Sequence, residues 1–202
     1  MLYFRRKFYR HYGMVVVCVV ITYLLIALLM KNFRALLPNI TTFIFDYDGV
    51  MTDSIVNLDV NGEALRTASV KDGYAIQLAC KLGYHVAVIS GAFAPSIERR
   101  LEALGTRDVF IGVADKVSAL ESYMQEKGID YSQIAYMGDD IPDYRVMKKV
   151  AVPVCPSDAV EEIKQVSCYI SRYPGGRGCV RDIIEQTLKV QGKWMTEESH
   201  LW

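Results

Sequence analysis

The stretch Phe43-Ile44-Phe45-Asp46-Tyr47-Asp48-Gly49-Val50-Met51-Thr52 decides how this chain is read. The apolar run predicts a buried strand over Thr42–Phe45 that delivers two carboxylates to its carboxyl end. Two aspartates one residue apart at a strand end can share a divalent cation and a phosphoryl group. The first, Asp46, would attack phosphorus, and the second, Asp48, would handle the proton. Alone, such a pair reads equally well as a turn or a helix cap.

Further along, short apolar runs alternate with amphipathic stretches. Strands are predicted at Val86–Ile89, Val109–Ile111, Ile134–Met137, Val150–Val152 and Cys168–Ile170. Helices are predicted at Gly73–Leu82, Pro95–Leu104, Lys116–Lys127, Pro142–Lys148 and Asp158–Val166. Gly83, Gly105 and Gly128 fall where helices end, and Pro95 and Pro142 where they begin. The rhythm predicts an α/β fold, a three-layer Rossmann-like parallel sheet with helices on both faces. Ligands then bind outside the carboxyl ends of the strands.

One interval departs from that rhythm. Ile55–Val60 leads to Asn61-Gly62 and then Glu63–Val70, and Asn-Gly between β-prone runs signals a two-residue hairpin turn. A β-hairpin flap over about residues 54–72 is therefore expected instead of a full cap domain. A site so open needs another cover, and a neighbouring subunit is the economical one.

Three further groups fall at later strand ends. Ser90-Gly91 offers a hydroxyl and exposed backbone amide suited to a phosphoryl oxygen, or else an ordinary turn and cap. Lys116 opens a helix, where its charge opposes the helix dipole; it is either a surface charge or a group with a task. Gly138-Asp139-Asp140-Ile141-Pro142-Asp143 places three acids in five residues, which repel one another unless a cation joins them. Helix capping is the other reading of Asp139 and Asp140.

Taken in order, these four groups resemble the motifs of the haloacid dehalogenase superfamily of phosphatases, from about Phe43 to the helix after Gly178. The resemblance implies Asp46 as a nucleophile forming an aspartyl-phosphate and Asp48 as general acid/base. Ser90, Gly91 and Lys116 would bind phosphate. Mg²⁺ would be held through Asp46, Asp48 and Asp139, with Asp140 and Asp143 in support.

DYDGVMTD at Asp46–Asp53, Val70-Lys71-Asp72-Gly73-Tyr74 and Gly175-Gly176-Arg177-Gly178-Cys179-Val180-Arg181-Asp182 look like a narrower family. That family is the capless 3-deoxy-D-manno-octulosonate 8-phosphate phosphatases. It implies a Mg²⁺-dependent homotetramer of lipopolysaccharide biosynthesis whose neighbouring subunits complete the pocket. A substrate carboxylate needs a cationic partner, for which Arg66, Lys71 and Arg177 are candidates. A nine-carbon sialic-acid-like 9-phosphate is the alternative substrate. Two residues depart from the pattern. Tyr47 replaces a small aliphatic residue, although its backbone carbonyl could still serve as an oxygen ligand. Ala92 stands where many members carry arginine.

Composition closes off other classes. Twenty-three basic and 23 acidic side chains leave no net charge, so the footprint of a nucleic-acid binder is missing. Five scattered cysteines without a C-x-x-C pair point to a reducing compartment rather than a disulfide scaffold. Residues 1–34 form a hydrophobic extension, residues 35–190 the phosphatase domain and residues 191–202 a polar tail. The extension holds Gly13–Met30, uncharged and preceded by Arg5, Arg6, Lys7 and Arg10. Read literally it is a membrane anchor with a cytoplasmic N-terminus. If Met30 is instead the start, the protein is cytoplasmic and meets no membrane. A non-catalytic membrane-tethered module is the remaining alternative. The tail is expected either to reach a neighbour's site or to lack order.

Overall fold

The computed structural model describes residues 32–201; the Gly13–Met30 segment and the proposed start at Met30 lie outside the described residues. Among the described residues, no helix is long and apolar enough to cross a membrane. Residues from Phe33 onward form one compact unit.

Strand β1 (Thr42–Phe45) is buried along its whole length and pairs in parallel with β4 (His85–Ile89) and β6 (Ile134–Met137). Beyond these lie β5 (Asp108–Phe110) on one side, and β7 (Val152–Cys155) and β8 (Tyr169–Ile170) on the other. The six-stranded order is β5-β4-β1-β6-β7-β8, all parallel. Successive side chains point to opposite faces of a strand. Phe43 and Phe45 accordingly join one core while Ile44 joins the other.

Helices α1 (Val70–Lys81), α2 (Pro95–Glu102) and α6 (Cys179–Val190) cover the Phe43 face through residues such as Ile76, Leu101 and Ile184. Helices α3 (Lys116–Lys127), α4 (Tyr144–Met147) and α5 (Glu161–Val166) cover the Ile44 face through Leu120, Met147 and Ile163. This is the three-layer arrangement expected. Ser69 caps α1 by accepting from the Asp72 amide, and Asp115 caps α3 by accepting from Val117. Gly128 closes α3 with φ of 66°.

Several boundaries moved, two of them at prolines. Strand β7 begins at Val152 and runs through Pro153, whereas the sequence suggested Val150–Val152. Pro153 carries no N–H, but its carbonyl accepts from Cys168 at 2.8 Å on the side of the short outer strand β8. The missing donor thus falls where the ladder is shortest. The second shift is at Pro142, which lies in a 3₁₀ turn (Ile141–Asp143) ahead of α4 rather than in a continuous helix.

The hairpin after β1 is formed by β2 (Asn57–Leu58) and β3 (Ala64–Leu65), with Gly62 at φ of 80° in the turn. Among the described residues it pairs with no other strand. The polar tail folds back on its own chain. The Tyr74 hydroxyl donates to the Ser199 carbonyl at 2.6 Å, and Lys81 Nζ donates to that of Leu201 at 2.9 Å.

Candidate active site

The register of the sheet assembles the site. Phe45 lies beside Val88 and Met137, so Asp46, Ser90 and Asp139 all emerge at one carboxyl edge. They line an open cleft of about 600 Å³ together with Asp48, Gly91, Lys116 and Asp140. Seven of the candidates chosen from the sequence therefore face one space.

Lys116 is at the centre. Its ammonium lies 2.8 Å from Asp46 Oδ2 and 2.7 Å from Asp143 Oδ1, and only 6% of its side chain is exposed. Burial alone would lower its pKa, but Asp46 and Asp143 together raise it, so it stays charged. Removing one partner of such a buried pair typically costs about 3–5 kcal/mol, because the remaining charge is stranded.

Asp46 is held at both oxygens, since Oδ1 accepts from the Tyr47 amide at 2.6 Å. Burial and the nearby Asp143 raise its pKa to about 7 despite Lys116. Burial, then Asp46 and Asp143, raise that of Asp139 to about 8.

Asp143 sits deeper than a supporting role suggested. It is fully buried and accepts from Lys116, from the Tyr136 hydroxyl at 2.7 Å and from the Asp139 amide at 3.3 Å. Tyr136 looked like plain core in the sequence, and its hydroxyl was not anticipated. Burial, then Asp143, push its pKa well up, so it remains a donor.

Oxygens of Asp46, Asp139 and Asp143 lie within 4.8 Å of one another. Asp139 Oδ1 is buried without a hydrogen-bond partner. A buried carboxylate oxygen so placed lacks compensation. An all-oxygen cluster with excess negative charge suits a hard divalent cation such as Mg²⁺. The residues present fit that ion. Gly49 is required beside them: at φ of 85°, any Cβ there would come within 1.9 Å of Asp139 Oδ2.

Asp48 is placed differently from its neighbour. Its carboxylate is gripped by Arg66 from the flap, Nε to Oδ1 at 2.7 Å and Nη2 to Oδ2 at 2.9 Å. Arg66, a candidate for a substrate carboxylate, is thus engaged by a carboxylate of the chain itself. The Asp48 side chain is about a third exposed (34%) and that of Arg66 only 11%, so this two-pronged pair is open to solvent on its Asp48 side.

The Tyr47 carbonyl accepts from the Val50, Met51 and Thr52 amides, so it nucleates the turn instead of serving as an oxygen ligand. The Tyr47 ring packs into the core, 5% exposed. The Ser90 hydroxyl accepts from the Ala92 amide at 3.1 Å and shapes the loop beneath Gly91. Asp140 accepts from the Ile141 amide and lines the exposed rim. Lys71 and Arg177 do not line this cleft; they line a neighbouring cavity. Asp158, which the sequence did not single out, reaches the cleft while accepting from the Gly175 amide at 2.9 Å.

Gly175 in turn packs against the aspartate loop. A Cβ there would meet the Gly49 carbonyl at 2.0 Å, so only glycine allows the two backbones to approach. The Gly175–Asp182 segment, selected from the sequence for its pattern, therefore braces the loop that carries Asp48.

Known proteins resemble this chain in sequence and in fold. Residues 103–180 match the haloacid dehalogenase-like hydrolase family. The 3-deoxy-D-manno-octulosonate 8-phosphate phosphatase KdsC of Escherichia coli K12 is 36% identical over 155 residues, spanning 77% of this chain and 82% of that one. The Moraxella catarrhalis 3-deoxy-D-manno-octulosonate 8-phosphate phosphatase, solved with magnesium, phosphate and KDO, superposes with a TM-score of 0.79 at 30% identity. That match covers 82% of this chain and 95% of the other. The cobalt-bound phosphatase YrbI of Haemophilus influenzae gives 0.77 at 32% identity, over 83% and 99% of the two chains. The chain belongs to the 3-deoxy-D-manno-octulosonate 8-phosphate phosphatase family of haloacid dehalogenase-like hydrolases.

Proposed function

We propose that the protein is a Mg²⁺-dependent phosphatase that hydrolyses 3-deoxy-D-manno-octulosonate 8-phosphate to the free sugar acid and phosphate, in lipopolysaccharide biosynthesis. The observation that carries this reading is the Lys116 bridge, which presents Asp46 at a cleft beside Asp48 and the Asp139–Asp143 pair. The relatives' activity and their bound magnesium, cobalt, phosphate and KDO support it.

In this mechanism Asp46 is the nucleophile. With Oδ1 held by the Tyr47 amide and Oδ2 by Lys116, its carboxylate cannot rotate, which fixes its line of attack on phosphorus. The phosphorus–oxygen bond to the sugar breaks, and protonated Asp48 gives its proton to the departing oxygen. Asp48 then takes a proton from water, whose oxygen attacks the aspartyl-phosphate and releases phosphate. Both proton transfers require Asp48 to leave the Arg66 fork. Lys116 and the Ser90-Gly91 loop line the same cleft and would face the phosphoryl oxygens. Asp46, Asp139 and Asp143 would hold Mg²⁺, which supplies charge neutralisation for the incoming phosphate.

The quaternary reading is a homotetramer in which flaps cover neighbouring clefts. The flap supports it with apolar residues left in solvent, Leu58 at 70% and Val60 at 101% exposure, beside Ile55 and Leu65. The free thiols of Cys80, Cys155, Cys168 and Cys179 support a cytoplasmic location.

Three outcomes are expected. Asp46→Asn should cut phosphate release from 3-deoxy-D-manno-octulosonate 8-phosphate by about a thousandfold or more, with Mg²⁺ present. Activity retained in that variant, or no turnover by the unaltered protein, would sink the assignment.

The metal-free protein should be sensitive to alkali. Asp46 and Asp139 carry raised folded-state pKa values of about 7 and 8, so the folded protein binds more protons than the unfolded chain. Stability from these groups is fully present below about pH 4 and is lost progressively as pH rises to about 7 to 8. Metal needs the ionised carboxylates, so Mg²⁺ should raise the melting temperature more above about pH 8 than below about pH 6. An equal shift at both ends, read by differential scanning fluorimetry, would contradict the ligand set.

Leu58→Asp combined with Leu65→Asp should shift sedimentation towards smaller species and raise KM. An unchanged tetramer with unchanged KM would remove the flap from the interface.

A further inference from the structure

Lys71 and Arg177, two of the three cations expected at a substrate carboxylate, lie together somewhere else. With Arg172, Tyr173, Gly178 and Arg181 they line a second cavity of about 330 Å³, and no residue lines both cavities. The brace of Gly175 against the Gly49 and Thr52 carbonyls lies in the loop between Tyr173 and Arg177. The second cavity is therefore built on the outer side of the loop that supports the catalytic turn.

Its charge is unbalanced. Four cations face two carboxylates, Asp182 and Glu185, and both carboxylates are already engaged. Asp182 accepts from the Tyr169 and Ser171 hydroxyls, each at 2.7 Å, and from Gln186 at 3.1 Å. Glu185 is shared between Arg181 at 3.1 Å and Lys189 at 2.6 Å. Arg177 reaches Asp53 only at 3.5 Å. Lys71 and Arg172 make no ion pair among the described residues. Like charges gathered around a concave space repel one another unless an anion enters.

The cations are also set in place. The Arg172 guanidinium lies 4.8 Å from the centre of the Tyr173 ring. That of Arg181 lies 5.5 Å from Tyr74 and 5.4 Å from Trp194. Trp194 belongs to the tail that folds back over α1, so the tail helps to fix Arg181. Planar guanidinium groups held on aromatic faces lose little freedom when they take a carboxylate or phosphate in a two-pronged contact.

We propose that this cavity is a second anion site, separate from the catalytic cleft, that takes a small molecule bearing a carboxylate or phosphate on Lys71, Arg172 and Arg177. The volume falls within the range of small-ligand pockets. The proposal does not depend on the phosphatase reading, because the cavity shares no lining residue with the catalytic centre.

The test is calorimetric titration of the full chain, without Mg²⁺, using malonate in one series and inorganic phosphate in another. Saturable binding of malonate, phosphate or both is expected, and the tighter probe identifies the chemical class. Arg172→Ala and Lys71→Ala should each weaken that binding by about tenfold or more, the loss of one charge-assisted contact, with Arg172→Lys intermediate. Arg172→Ala should leave kcat/KM for p-nitrophenyl phosphate and the melting temperature unchanged. The proposal fails if neither probe binds saturably, or if binding survives both alanine substitutions. It also fails if Arg172→Ala raises KM for the sugar-acid phosphate in step with the loss of malonate binding. In that case the cations would serve the catalytic cleft of a neighbouring copy.

Discussion

The buried ammonium of Lys116 between Asp46 and Asp143 is the interaction on which the rest of the site depends. Three carboxylates have oxygens within 4.8 Å of one another at the end of the central strands, and two of them are pushed towards neutrality by burial and mutual repulsion. A single cation from α3 makes that arrangement tolerable in the folded chain. It also sets a demand for more positive charge, which a divalent ion meets. Function and stability therefore pull on the same residues. The carboxylates that weaken the metal-free fold are those proposed to recruit the metal.

The sheet makes this bridge possible at low cost. Parallel strands in register bring Asp46, Ser90 and Asp139 to one edge without long loops, and Asp115 caps the helix that carries Lys116. Tyr136, in the middle of β6, reaches Asp143 from below and fixes the far side of the bridge. By contrast the contact of Arg66 with Asp48 is partly open to solvent on its Asp48 side, where it borders the cleft. Deep pairs hold Asp46 and a shallower pair holds Asp48.

Much of this could be read from the sequence, and the failures have physical causes. Alternation of apolar runs with helical stretches was enough for the parallel sheet, because buried strands leave long apolar signatures and glycine and proline mark the ends. Asp46 and Ser90 directly follow such a run, Asp139 comes one residue after one, and Lys116 opens the helix past the third strand, so their order along the chain could be read. Tyr136 was not readable, since a tyrosine inside a strand looks the same whether or not its hydroxyl has a task. Arg66 was recognised as a cation of interest, but sequence cannot tell a partner on the substrate from one eighteen residues away on the same chain. Lys71 and Arg177 came to notice with it, and only the fold shows that they line a different cavity. Strand β7 was misplaced because a proline ordinarily argues against a strand, and only the sheet order shows where its missing N–H falls.

The central claim is that Asp46, held by Lys116, becomes phosphorylated. Borohydride reduction of enzyme quenched during turnover converts an aspartyl-phosphate to homoserine, which peptide mass spectrometry locates. The account predicts homoserine at position 46 in the unaltered protein and its loss in Lys116→Ala. Homoserine at Asp48 or Asp139, or none anywhere while phosphate is released, would contradict it.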